Sequence, residues 1–194
     1  MTAARTIKPE PEPETRVDPG PVVWITGLSG AGKSTTARSL ANALRAEGQK
    51  VLVLDGDEFR AAVGDGLGHS PEDRLVSAQR LVRFASLSSR QGVTTVVATM
   101  SLYTEIHQQV RAAFDRLRVV YLDTPRQCLE ARDPKGLYAA ARVNNRLDVV
   151  GVHLPFDPPL RPDLTLESAS EHDLTNNVAL IRSSLVEWLP ITKG

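Results

Sequence analysis

The sequence predicts an α/β fold of three layers: a parallel sheet of about five strands, helices on both faces, and a lid segment at one edge. Three observations predict it. Short apolar runs alternate along the chain with stretches of helical periodicity. The apolar runs lack the polar alternation of half-exposed strands, as strands covered on both faces do. A glycine-rich turn, 27–34, joins the first apolar run to the first helix, which is how open parallel sheets present ligands at the carboxyl ends of their strands.

Val22–Thr26 is apolar and lies between Pro21 and Gly27, as a buried strand would. Residues 33–47 carry Leu40 and Leu44 on one face, and Gly48 stops that helix. Residues 51–54, Val-Leu-Val-Leu, make the second strand. Residues 71–90 place Leu75, Ala78, Leu81, Val82 and Ala85 at helical spacing, with a break at Gly92. The third strand, 93–99, is rich in β-branched residues. A helix over 102–115 and a strand over 118–122 follow. Pro125 stands where a first helical residue would, opening 126–131. Residues 164–166 form the fifth strand and 171–189 a closing amphipathic helix. Residues 132–162 break the rhythm with Pro134, Pro155, Pro158, Pro159 and Pro162; a polar segment of that length is functional or disordered.

Residues 22–190 form one domain, preceded by residues 1–21. Five of the 13 prolines lie in that leading stretch, alternating with Glu10, Glu12 and Glu14, the composition of a disordered tail or of a short partner-binding segment. Twenty-three basic and 23 acidic residues cancel, which argues against a nucleic-acid-binding surface but leaves room for a small cationic pocket. Residues 126–146 hold five basic side chains against two acidic ones, the natural place for it. The single cysteine, Cys128, excludes an internal disulfide or a multi-cysteine zinc site and is expected to be buried. No apolar run approaches the roughly 18 residues of a membrane span, and the first residues lack a signal-peptide core, so a cytoplasmic address is expected.

Residues Gly27-Leu28-Ser29-Gly30-Ala31-Gly32-Lys33-Ser34 fit G-x-x-x-x-G-K-[ST] in full, between a strand and a helix as the motif requires. Glycines let backbone N–H groups turn inward around phosphate oxygens, and the helix N-terminus adds a favourable dipole. Gly27, Ser29, Gly30, Ala31, Gly32, Lys33, Ser34 and Thr35 are the candidate ATP-binding residues. Lys33 would reach the β- and γ-phosphates, and the Ser34 hydroxyl would ligate Mg²⁺. The motif identifies a nucleoside triphosphate and leaves the reaction open. A GTPase needs a guanine-reading Asn-Lys-x-Asp segment, which residues 144–148 do not supply. The chain length suits a small-molecule kinase.

The second strand runs into Asp55-Gly56-Asp57, with Arg60 one helical turn later. Both acids fall at the ligand-binding edge of the sheet. Asp55 is expected on the metal side, and Asp57 is expected to take the proton of an attacking hydroxyl. The alternative is a turn whose aspartates cap the next helix. Arg60 and Arg74 are expected to hold an anionic group of a small acceptor; Arg80 either joins them or pairs with surface acids. Ser101, just past the third strand, falls at the same edge. Arg132 and Lys135, beside a proline and a glycine hinge, suit a lid that excludes water from the phosphates, or else a solvated charged loop. Asp123 ends a strand as a Walker B acid does, but Asp55 already fills that position. His69, His107, His153 and His172 show no ligand pattern. A pure nucleotide-binding regulator would not need Asp57, Arg60 and Lys135, and plain ATP hydrolysis would not need a lid.

These residues together resemble the adenylylsulfate (APS) kinase family over 22–166. The anchors are Gly-Leu-Ser-Gly-Ala-Gly-Lys-Ser-Thr at 27–35, Leu-Asp-Gly-Asp at 54–57 with Arg60, Leu-Gly-His-Ser-Pro-Glu-Asp-Arg at 67–74, and Arg-Asp-Pro-Lys-Gly-Leu-Tyr at 132–138. The resemblance implies a P-loop kinase fold with a lid over 132–155. It implies Mg²⁺-dependent transfer of the ATP γ-phosphate to the 3′-hydroxyl of adenylyl sulfate, and a homodimer. It puts Arg132 on the ATP side and Asp57, Arg60, His69, Arg74, Ser77, Ser101, Lys135, Leu137 and Val149 on the acceptor side.

The chain also departs from the family pattern. His69 and Val149 stand where the family has the two aromatic residues that sandwich the acceptor's adenine, and Ser77 replaces an Asn. Met100-Ser101-Leu102 replaces Ile-Ser-Pro, and Val149-Val150-Gly151-Val152-His153 replaces Phe-Thr-Gly-Ile-Asp. Aromatic stacking is worth on the order of 1 kcal/mol per contact, so adenine binding is expected to be weaker. The pattern looks like a divergent branch of the family, one known activity of which is phosphorylation of cytidine diphosphoramidate. A changed nucleotide or specialised acceptor is the alternative reading.

Overall fold

A computed structural model describes residues 17–63, 66–68, 70–101, 103–142, 149–154 and 156–189. Its strands are β1 (Val22–Thr26), β2 (Val51–Asp55), β3 (Thr94–Ala98), β4 (Leu117–Asp123) and β5 (Leu164–Glu167). They form one sheet in the order β2-β3-β1-β4-β5, with every neighbouring pair parallel. The helices are α1 (Lys33–Ala46), α2 (Gly56–Val63), α3 (Pro71–Arg90), α4 (Thr104–Ala113), α5 (Arg126–Arg132), α6 (Leu137–Arg142) and α7 (Glu171–Ser183). The chain leaves the central strand β1 for β2 on one side and returns to β4 on the other. The carboxyl end of β1 is therefore the switch point where ligands bind in such sheets.

Side-chain alternation along β1 divides the core into two layers. Val23 and Ile25 pack with Leu40 and Leu44 of α1 and Ile181 of α7. Val22 and Trp24 pack on the opposite face with Leu81 of α3 and Ile106 and Val110 of α4. All of these are nearly or fully buried, and each contributes about 1.5–3 kcal/mol by leaving water. No described helix is long and apolar enough to cross a membrane.

The expected strands all form, with ends unchanged or shifted by one residue, and the differences elsewhere have physical causes. Residues 18–21, grouped with the tail by composition, are docked. The Gly20 N–H donates to the Ser89 carbonyl at 2.8 Å, and the Ser89 hydroxyl donates back to Gly20 at 2.6 Å. Arg116 donates to the Pro19 carbonyl and pairs with Asp18. The helix α2 appears directly after Asp55, whose carboxylate accepts the Asp57 N–H at 2.9 Å and so caps it. The helix α6 appears inside the proline-rich segment because the Asp133 carboxylate accepts the N–H groups of Tyr138 and Ala139 at 3.1 and 2.8 Å. Pro125 is the N-cap of α5, in extended conformation, and not its first helical residue. The last helix ends at Ser183; the chain then turns to bury Leu185 and to bring Trp188 under the Arg118 guanidinium, 3.9 Å from the ring centre. Cys128 is half-buried where full burial is expected. Residues 1–16 of the tail, His69, and 143–148 and 155 of the expected lid lie outside the described residues.

Candidate active site

The turn between β1 and α1 is the floor of the site. Gly32 holds φ 86° immediately before the helix, a left-handed conformation that a Cβ would strain. With Gly32 there, Lys33 and Ser34 open the helix and face the cavity. The Lys33 ammonium donates to the loop's own Leu28 carbonyl at 2.8 Å. Desolvation lowers its pKa from 10.5 to about 8; Lys135 adds to that effect, while Asp57 and Asp55 oppose it. A half-buried, desolvated ammonium held this way favours anionic oxygens.

Asp55, at the end of β2, is buried. One of its carboxylate oxygens accepts the Ser34 hydroxyl and the other caps α2, so the capping expectation is met and the carboxylate stands beside the hydroxyl named with it on the metal side. Asp57, one helical position into α2, is exposed and pairs with Lys135 at 2.5 Å. Partial desolvation of its carboxylate by the cavity wall pushes the pKa up, but the Lys135 hydrogen bond and the charges of Lys135, Arg60 and Lys33 outweigh that and hold it below the usual carboxylate range. Arg60 lies one turn on, and its Nε is buried with no hydrogen-bond partner among the described residues.

These groups share one cavity of about 740 Å³. Ser29, Gly30, Gly32, Lys33, Ser34 and Thr35 contribute the loop side of its wall. Asp55, Asp57, Arg60, Arg74 and Ser77 contribute the wall beyond β2 and along α3. Lys135, Leu137 and Val149 close it from the segment after α5. Arg132 reaches across to the Gly30 carbonyl at 3.1 Å and the Ala169 carbonyl at 2.8 Å, joining the loop to the turn after β5. Gly151, at φ 80°, lets the 149–154 turn approach Leu28, where a Cβ would stand 2.9 Å from the leucine.

Several expected residues fall elsewhere. Gly27 and Ala31 shape the loop but do not line the cavity; the Ala31 N–H is used inside it, on Leu28. Ser101 is corrected outright. It is 1% exposed, its hydroxyl accepts the Trp24 indole N–H at 2.8 Å, and its own N–H donates to Thr26. Its neighbours Thr99 and Met100 line the cavity in its place, and the strand-end rule that nominated Ser101 applied equally to them. Arg80 points away and donates to the Val63 carbonyl. Asp123 is exposed and bonded to Tyr121, outside the cavity. The far end of the cavity, lined by Ser168, Ser170, Glu171 and Leu174, lacks an expected residue altogether. The capping box of Ser170 and Asp173 was the legible signal that a helix opens there beside the sheet edge.

A parallel sheet with a complete phosphate loop at its switch point, and two carboxylates and two arginines facing that loop, defines the class: a P-loop small-molecule kinase. The family model described as adenylylsulphate kinase matches residues 19–167, and the chain belongs to that family. The match begins within the docked residues 18–21. The chain is 39% identical over 168 residues to the adenylyl-sulfate kinase of Microcystis aeruginosa, spanning 87% of this chain and 92% of that one. It is 43% identical over 149 residues to the adenylyl-sulfate kinase of Chloroflexus aurantiacus, spanning 77% and 80%. It is similar also to the solved structure of the Mycobacterium tuberculosis APS kinase CysC in complex with AMPPNP and APS, with a TM-score of 0.81, 34% identity and coverage of 87% and 98%.

Proposed function

We propose that this kinase transfers the γ-phosphate of ATP to the 3′-hydroxyl of adenylyl sulfate, as a homodimer in the cytoplasm. One observation carries the reading: the phosphate loop, Asp57 and the two arginines Arg60 and Arg74 line a single cavity, large enough for a donor and an acceptor together. The described relatives are adenylyl-sulfate kinases, and nothing among them favours another acceptor. The homodimer and the 132–155 lid rest on the family resemblance.

In this reading the loop N–H groups and Lys33 hold the β- and γ-phosphates. Arg60 and Arg74 hold the anionic end of the acceptor, and the buried Arg60 Nε, with no hydrogen-bond partner among the described residues, is a donor suited to an anion. The carboxylate of Asp57 takes the proton of the acceptor hydroxyl as that oxygen bonds to the γ-phosphorus. The bond from the γ-phosphorus to the β-bridging oxygen breaks, and ADP leaves with that electron pair. Lys135 must give up Asp57 for this to happen, and the arriving phosphates offer its ammonium a better partner. The Ser34 hydroxyl and Asp55 carboxylate are hard oxygens in contact with one another, a pair that suits Mg²⁺, which takes one or two protein oxygens and fills the rest of its shell with phosphates and water. Bound there, Mg²⁺ would neutralise charge on the β- and γ-oxygens.

The test is a coupled ADP-release assay with adenylyl sulfate and a panel of other nucleotide acceptors, in the presence and absence of Mg²⁺. Turnover with adenylyl sulfate and product phosphorylated at the 3′ position is the expected result. Turnover of other acceptors only, with well-folded protein, overturns the acceptor assignment. Size-exclusion chromatography with light scattering tests the dimer.

A further inference from the structure

Tyr138 sits in the first turn of α6, 3% exposed, in the core layer that includes Ala31, Leu122 and Leu129. Its backbone is fixed by the Asp133 cap. Its hydroxyl points into the protein and donates to the Ser29 carbonyl at 3.0 Å, across 109 residues of sequence. Desolvation, helped by Asp133 and Glu130 and opposed by Arg126, raises its pKa above the usual phenol range, so the hydroxyl keeps its proton. The next carbonyl along the loop, that of Gly30, is held by Arg132.

A trans peptide sets its C=O and N–H on opposite sides. Pinning the Ser29 carbonyl toward α6 therefore turns the Gly30 N–H away from Tyr138, and Gly30, at φ 81°, lies on the cavity wall. We infer that Tyr138 is a positioning residue: its hydroxyl fixes the Ser29–Gly30 peptide so that the Gly30 N–H is presented to a nucleotide's β- or γ-phosphate before the nucleotide arrives. A donor set in place beforehand avoids the reorganisation that a loose loop would need on binding. The inference rests on the proposed use of the loop for ATP and is independent of which acceptor is used.

Tyr138→Phe removes one oxygen and leaves the ring. The readout is the preference for ADP over AMP, measured by titration calorimetry in metal-free buffer, because AMP lacks the phosphate that the loop would cradle. A hydrogen bond of ordinary strength predicts an ADP affinity about fivefold lower and an unchanged AMP affinity, with the melting temperature lowered by only a few degrees. Tyr138→Leu also removes the ring; it is expected to lower the melting temperature yet to narrow the ADP preference by the same factor. An unchanged ADP-to-AMP ratio in either folded variant, or equal loss of both ligands, overturns the inference and leaves the tyrosine a packing residue. Failure of the wild type to bind ADP would instead overturn the ATP reading.

Discussion

Lys33 gives the sharpest quantitative test of the donor site. Its pKa falls from 10.5 to about 8 because burial in the loop desolvates the ammonium, whose bonded acceptor among the described residues is the Leu28 carbonyl. The difference corresponds to about 3 kcal/mol at 1.36 kcal/mol per pH unit. The folded pKa lies below the unfolded one, so this cost to the folded protein is present in full below pH 8 and is relieved as the pH rises toward 10.5. A polyphosphate reverses the balance, because it favours the charged form and raises the pKa again. Binding above pH 8 must therefore take up a proton. With half of the lysine neutral at pH 8, nucleotide binding is expected to take up about 0.5 proton there, rising to about 0.9 at pH 9. ADP affinity should fall about tenfold between pH 7 and pH 9. Titration calorimetry with metal-free ADP in two buffers of different ionisation enthalpy reads the proton uptake directly. Lys33→Met should bind more weakly and show no such uptake. An affinity flat from pH 7 to pH 9, or equal uptake in the methionine variant, refutes the reasoning.

Three further outcomes are expected. Asp57→Asn should cut kcat by about 10²–10⁴-fold while ADP affinity is kept, the signature of a lost proton acceptor; because Lys135 and the neighbouring cations hold this carboxylate below its usual range, wild-type kcat/KM should show no acid limb near pH 6, and one there would count against Asp57 as the base. Arg60→Gln should raise the acceptor KM by roughly 10–100-fold with nucleotide affinity unchanged, as loss of a charged hydrogen bond to an anion would; steady-state kinetics with varied acceptor checks it. Ser101→Ala should leave the acceptor KM alone and lower stability by about 1–3 kcal/mol in urea unfolding, since the buried Trp24 indole N–H loses its acceptor; a raised acceptor KM with unchanged stability would return Ser101 to the site.

The donor half of the site was legible because its geometry is local. Eight consecutive residues build the loop, and the rule that ligands bind at strand carboxyl ends brings Asp55, Asp57 and Arg60 to it without any knowledge of distant contacts. What was illegible is carried by pairs far apart in the chain. Tyr138 meets Ser29 across 109 residues with no local pattern to announce it, and Arg132, expected on the ATP side, reaches the Gly30 carbonyl across 102 residues by a bond that its sequence neighbours do not specify. The helix α6 shows the same limit at shorter range, since it depends on Asp133 standing where its carboxylate can receive two N–H groups from the following turn.

The misplacement of Ser101 has a more general cause. The strand-end rule fixes the edge of the sheet at which a residue lies, but once the strand has ended, period-two alternation no longer says where its side chain points. Here the direction is set by a demand from the core. Trp24 of β1 is fully buried and carries one N–H that must find an acceptor, and the chain leaving the neighbouring strand β3 is the backbone that brings one within reach. Thr26, at the end of β1, is buried too, and its hydroxyl takes the Ser101 N–H, so the same turn is held twice from below. Those two bonds draw Ser101 inward, and Thr99 and Met100 remain on the cavity wall. The cavity thus owes part of its lining to a tryptophan that does not line it. A Trp24→Phe variant, with Ser101 released, is expected to change acceptor KM even though Ser101→Ala does not, because only the tryptophan change leaves a buried hydroxyl free to turn toward the cavity.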